Sequence, residues 1–273
     1  MIQEKYNEEE YAKQIEQHGF LTERHNYELV LLVKYWKKLG IKPKQRKEKL
    51  YEFCKKYIVN FNDVLYFKQI NTALKKGGRK DNPLIIIDSI PITNEEIEYI
   101  NNLDIEYNYK KILFVLLVEM KIYKEIHKLK YGNVLKYNYI SGNQNTYNEI
   151  LEVSKISNNE YKINAIINEL EILGLVDVRM KGKIHLIFMN NIKENGIVVF
   201  EITTFDNIGY YFDLYNGNPK IINCNECGKL IKATSNRRKF CRSCWREKQL
   251  EWQRKAWHNY KDKYRPAKVI ENP

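Results

Sequence analysis

The sequence is poor in the features that mark several large classes of protein. Its most apolar stretch, Ile112–Val118, is too short to cross a bilayer. The first residues, MIQEKYNEEEYAKQ, are acidic and hold no apolar core segment, so no secretory signal is expected. The expected setting is a reducing cytoplasm, in which disulfides are rare. Histidine is scarce: His18, His25, His127, His185 and His258 are scattered, and none stands in a recognisable Ser-His-Asp or Cys-His arrangement. There is no Walker loop and no glycine-rich dinucleotide fingerprint. Without a catalytic constellation the chain is not expected to be an enzyme or to take a small-molecule substrate. Cysteine is limited to five residues, and four of them fall within 21 positions. The fifth, Cys54, reads as a small core residue on a helix.

Positive charge is abundant but unevenly placed. Over its 273 residues the chain carries a formal charge of +12. Counting Lys and Arg against Asp and Glu gives −4 for residues 1–30, +12 for 31–80, −5 for 81–220 and +9 for 221–273. Two basic blocks therefore flank an acidic middle. Such blocks point to a polyanion, most often nucleic acid, although a single lysine-rich helix can serve solubility alone.

The pattern along the chain predicts a mostly α protein with a small antiparallel β component. Residues 1–90 read as a helical basic domain: a short charged helix over 7–18, an apolar one from Tyr27 capped near Gly40 with Pro43 just beyond, and two more, the last closed by Gly77 and Gly78. Lys37, Lys38, Lys42, Lys44, Arg46, Lys47 and Lys49 cluster at one helix junction, and Lys42, Lys44, Arg46 and Lys47 are candidate nucleic-acid contacts. A loop and short strand follow in RKDNPLIIIDSIPIT.

Residues 91–220 read as a winged-helix-like domain. Thr93 and Glu96 form a capping box, as do Ser157 and Glu160. KKILFVLLVEMKIYKEI is apolar nearly all round and should be the central helix. A helix over 158–173 then precedes alternating Val176, Val178, Met180 and Ile184, Leu186, Phe188, which predict a hairpin turning at Lys181-Gly182, with IVVFEITTF as a third strand. Helix, helix, hairpin is the order of a winged helix-turn-helix. The second helix offers Asn158, Asn159, Lys162, Asn164 and Asn168 to a base edge, but also Glu160, Glu169 and Glu171. Its apolar set is Ile163, Ile166, Ile167, Leu170 and Leu173. An acidic domain suits a phosphate backbone poorly, so a scaffold or protein-docking role stands beside DNA reading.

Residues 221–273 read as a zinc ribbon followed by a basic helix. Cys224 and Cys227 form one Cys-x-x-Cys pair, and Cys241 and Cys244 a second, thirteen residues on. Two such pairs at knuckle spacing are the signature of a structural four-cysteine zinc site, one ion per chain with no open position. A thioredoxin-like redox pair lacks its βαβ context. An iron–sulfur cluster is not excluded by ligand type alone. A zinc-stapled HNH nuclease would need His and Asn near the pairs, yet the insert GKLIKATSNRRKF has no His, and His258 lies well down the next helix. The insert is expected to form a short hairpin presenting Lys232, Arg237, Arg238 and Lys239. Arg242, Arg246, Arg254 and Lys255 follow on the helix, interleaved with Trp245, Trp252, Trp257 and Tyr260. Packing is the expected role of Trp245 and Trp252.

ITTFDNIGYYFDLYNG, CNECGKLIK, RRKFCRSC and WREKQLEWQRKAW together resemble uncharacterised phage and mobile-element proteins of low-GC Gram-positive bacteria, from roughly Ile92 onward. The resemblance implies replication or regulation on DNA, in a host-cell cytoplasm. It equally suits a protein that binds a host complex. The first expectation is a non-enzymatic DNA-binding protein, with DNA favoured over RNA. The second is an inhibitor or adaptor docking on host machinery or a defence complex.

Overall fold

Asn7 starts the first helix by accepting a hydrogen bond from Glu10 N (3.1 Å). The structure is a computed structural model describing residues 6–156, 162–193, 196–235 and 237–264. The chain divides into two compact units, one reaching to Gly209 and one starting at Tyr210.

In the first unit, α1 (Glu8–His18), α2 (His25–Lys38), α3 (Pro43–Tyr57) and α4 (Asp63–Gly78) surround a common core. Helix α2 lies at its centre, burying Leu29, Leu31, Leu32, Val33 and Trp36, with Ile15, Leu50, Phe53, Cys54 and Ile70 packed into the same cluster. Burial pushes the Cys54 thiol up to about 12, so it stays a neutral apolar group at neutral pH. Gly40 takes φ 78° just past α2. Gly40 N donates to Lys37 O and Ile41 N to Trp36 O, both 3.0 Å, the paired bonds of a Schellman stop. Gly77 has a different reason to be glycine: a Cβ there would lie 2.7 Å from Val33 Cβ and 2.8 Å from Val30 O. Its absence lets α4 press against α2.

The acidic start of the chain lies on the basic helices. Glu8 pairs with buried Lys34, Glu9 with Lys38, and Glu16 with Lys49 (3.1 Å). The Glu28 carboxylate is fully buried and accepts from Tyr11 Oη (2.7 Å), Leu21 N (3.0 Å), Thr22 N (2.9 Å) and Thr22 Oγ1 (2.7 Å).

The rest of this unit begins with β1 (Ile90–Thr93), antiparallel to β4 (Val198–Ile202) with Ile90 opposite Ile202. The Thr93–Glu96 capping box is present: Thr93 N donates to Glu96 Oε2 (2.9 Å) and Glu96 N to Thr93 Oγ1 (3.4 Å). It opens α5 (Asn94–Asn101). Helix α6 (Tyr107–Tyr131) buries Lys111 through Val118 in succession, as an all-round apolar segment must. Then come β2 (Tyr139–Ser141), α7 (Gln144–Ser154), α8 (Ile163–Ile172) and β3 (Lys183–His185).

The β structure departs from the sequence expectation. β3 pairs with β2, Ile184 opposite Ile140, whereas the expected partner around Val176–Met180 contributes a single bridge, Asp177 to His185. Residues 187–191 form a 3-10 turn instead of continuing the strand, and β4 pairs with β1. The buried side of α8 carries Ile163, Ile166, Ile167 and Leu170, but Leu173 is exposed beyond the helix end. The expected Ser157–Glu160 capping box, with Asn158 and Asn159, lies outside the described residues. No helix among the described residues is long and apolar enough to cross a membrane.

Helix α9 (Ile208–Tyr215) spans the division between the units. Within the second unit, β5 (Ile221–Asn223) pairs antiparallel with β6 (Leu230–Lys232), Ile222 opposite Ile231, and α10 (Arg242–Tyr264) closes the described chain.

Candidate metal centre and basic groove

The β5–β6 hairpin brings the first cysteine pair into position, because that pair is its turn. Cys224 N donates to Lys229 O and Gly228 N to Cys224 O, both 2.9 Å. Gly228 has φ 70° with no atom near a would-be Cβ, so glycine serves the left-handed backbone here and not a close approach. The hairpin is therefore not made by the insert between the pairs, as the spacing suggested. The insert contributes only β6, and its later residues run back as a loop held by Asn225 N donating to Lys239 O (3.0 Å). The strand partner comes from residues 221–223, just before the first cysteine.

Cys241 and Cys244 sit at the start of α10, and their backbone amides serve the sulfurs. Cys241 N donates to Cys224 Sγ (3.2 Å) and Cys244 N to Cys241 Sγ (3.5 Å). All four sulfurs lie within 4.8 Å of one another. Cys227 Sγ and Cys241 Sγ are 3.8 Å apart. A disulfide would need about 2.05 Å. Sulfurs about 2.3 Å from a tetrahedral zinc ion stand about 3.8 Å from each other. Cys224, Cys241 and Cys244 are buried with Ile231, while Cys227 is exposed.

The sulfurs divide in their acidity. Burial opposes charge on Cys224 and Cys241, but hydrogen bonds outweigh it. The Cys227, Cys241 and Glu226 amides lower Cys224, and the Ser243 hydroxyl (3.1 Å) and Cys244 amide bring Cys241 down to about 6. Burial pushes Cys227 and Cys244 up. Four sulfurs this close do not all carry charge unless a cation sits among them. The cluster can thus hold a metal ion.

Beside the cluster the structure gathers part of the expected basic set. Arg237, Arg238, Lys239 and Arg242 line a cavity of about 370 Å³, together with Phe240 and Trp245. Lys232 is exposed at the end of β6, and Arg246, Arg254 and Lys255 are exposed along α10; none of the four lines the cavity. Lys255 pairs with Glu251 (2.6 Å). Lys248 is engaged by Glu226 (2.8 Å), and its Nζ lies over the Phe240 ring, 5.3 Å from the centroid.

Within this unit Trp245 and Trp252 pack on each other and stay partly open. They are 43% and 49% exposed and meet each other edge to face, with centroids 5.5 Å apart. From Gln249 to Lys261 every residue of α10 is exposed, so this stretch offers its rings no apolar wall. Phe240 and Trp245 are groove residues that charge counting passed over; the signal was their interleaving with arginine.

In the first unit Lys42, Lys44 and Lys47 are exposed and make no ion pair among the described residues. Arg46 is withdrawn from the expected contact set: it is buried, and its Nη1 has no hydrogen-bond partner among the described residues. It falls on the α3 face that also buries Leu50 and Phe53, at helical spacing.

Compared with known proteins, the chain matches no family model, no curated protein and no solved structure.

Proposed function

We propose that the chain is a non-enzymatic DNA-binding protein, a regulator or replication accessory factor, whose four cysteines hold one structural zinc ion. The observation that carries this reading is the groove in which Arg237, Arg238, Lys239 and Arg242 converge beside the cysteine cluster. A metal-fixed loop loses less entropy on meeting a phosphate than a mobile one. Zinc is the favoured ion because four thiolates in a closed tetrahedral shell suit it, and a reducing cytoplasm keeps them free. The order α7, α8, β3, with β2 and residue 177 flanking β3, supports a winged helix-turn-helix in the first unit. Lys162, Asn164 and Asn168 are exposed on or beside its second helix, and so is Glu169. The resemblance to phage and mobile-element proteins supports the same biology.

Purified protein should carry about one zinc per chain by elemental analysis, and Cys227→Ser should lose it. Arg237→Ala with Arg238→Ala should weaken DNA binding by about 1–3 kcal/mol at fixed salt while zinc content stays unchanged. Unchanged affinity in that variant would remove the groove from DNA binding.

One observation favours a second reading, a protein-docking inhibitor or adaptor. Leu250, Trp252, Trp257 and Tyr260 are all exposed on α10. Capture of a host protein that survives nuclease treatment and is lost on changing Trp257 and Tyr260 to Ala would support it.

A further inference from the structure

We infer that the groove beside the cysteine cluster seats an unpaired DNA strand, with a base lying on the Trp245 indole and the backbone phosphates against Arg237, Arg238 and Arg242. This rests on the DNA-binding reading and narrows it to single-stranded substrate.

Three features of the groove point the same way. First, its charge is of one sign: four of the lining residues are cationic, and among the described residues no carboxylate lines it. Arg237, Lys239 and Arg242 make no ion pair among the described residues, while nearby Lys248 is taken by Glu226. The cations thus face the cavity and the acid is spent outside it. Second, the wall is aromatic. Trp245 is steadied by two rings, Phe240 nearly parallel at 6.3 Å and 28°, and Trp252 edge-on at 5.5 Å and 84°. It nonetheless keeps 43% of its surface exposed. A ring held in place and left open is a platform, since little further order is lost when a flat ligand covers it. Third, the cavity, about 370 Å³, falls within the range of clefts that enclose small flat ligands.

Charge alone would also suit an acidic peptide or a duplex backbone. The ring discriminates between them. A duplex keeps its base faces stacked on one another and presents only edges and phosphates. An acidic peptide built of Asp and Glu alone brings charge but no aromatic face to the indole. An unpaired nucleotide brings a phosphate and an open π-face together, and this one cavity is lined by both cations and an indole. Stacking is indifferent to which base is present, so the groove should bind many sequences alike.

The test is fluorescence anisotropy with the full chain, a labelled mixed-sequence oligodeoxynucleotide and its blunt duplex, over a range of salt. Wild type should bind the strand more tightly than the duplex, and strand binding should quench tryptophan emission. Trp245→Leu should weaken strand binding roughly tenfold and leave the salt slope and duplex affinity unchanged. Trp245→Phe keeps a ring and should hold most of the affinity while losing most of the quench. It also decides the matter should the leucine variant lose its metal. Arg237→Ala with Arg238→Ala should lower the salt slope for the strand. Equal or tighter binding of the duplex by wild type, or strand affinity in Trp245→Leu equal to wild type, overturns the inference and leaves the DNA reading standing. Loss of strand affinity in Trp245→Phe as large as in the leucine variant, with metal retained, also overturns it. Failure of wild type to bind either DNA overturns both readings.

Discussion

Glu28 holds together one corner of the N-terminal helices. Its carboxylate is fully buried and has four donors around it, two of them backbone amides in the link between α1 and α2. Removing it leaves those donors buried without an acceptor, which is the expensive way to lose a hydrogen bond. Glu28→Ala should lower stability by about 2–4 kcal/mol in urea titrations followed by helical circular dichroism. Tyr11→Phe deletes one donor and should cost about 1 kcal/mol. The sequence hid this role. An acidic residue in the first turn of a helix reads as a dipole partner, and nothing local announces that residues 21 and 22 fold back over it. Gly77 was equally opaque, since two glycines at a helix end look like a stop. Only the approach of α4 to Val30 and Val33 shows that the first of them is a packing residue.

Among elements, those specified by local rules were legible and those specified by distant partners were not. The Thr93–Glu96 box, the glycine stop after α2, the all-round apolar α6 and the two cysteine pairs are local patterns, and each stands where its pattern lies. Strand β2 is three residues long and gains its identity only from β3, which follows two intervening helices. The alternation at 176–180 marked inward and outward side chains correctly in part, Val176 being buried, but not which strand would pair. The cysteine-bearing unit shows the same limit: spacing located the four-cysteine cluster but placed the hairpin in the insert, although Ile221–Asn223 carries the matching strand. Helix α3 yields a prediction at this scale. Lys42, Lys44 and Lys47 face solvent without an ion pair among the described residues, whereas Lys38 and Lys49 are engaged by α1 carboxylates. Replacing the first three with Ala should reduce the slope of log affinity against log salt by up to about 3, and replacing Lys38 and Lys49 should move it less. An unchanged slope in the triple variant would assign α3 to solubility.

For the whole chain, charge counted along the sequence overstates the charge available to a ligand. Part of the N-terminal surplus is answered by Glu8, Glu9 and Glu16 within the same unit, and Arg46 is buried. In the second unit the surplus stays outward, at the groove and along α10. That helix is 23 residues long. At about 1.5 Å per residue it extends about 34 Å. Arg246, Arg254 and Lys255 lie along this length, beyond Arg242 at the groove. A strand seated on Trp245 and continuing along the helix would be shielded from nucleases over a stretch that the helix itself measures out. If that strand is bound as inferred, ending the helix two turns earlier should shorten the protected fragment at its far end and leave its groove-side boundary fixed, the length of α10 setting the length of the footprint.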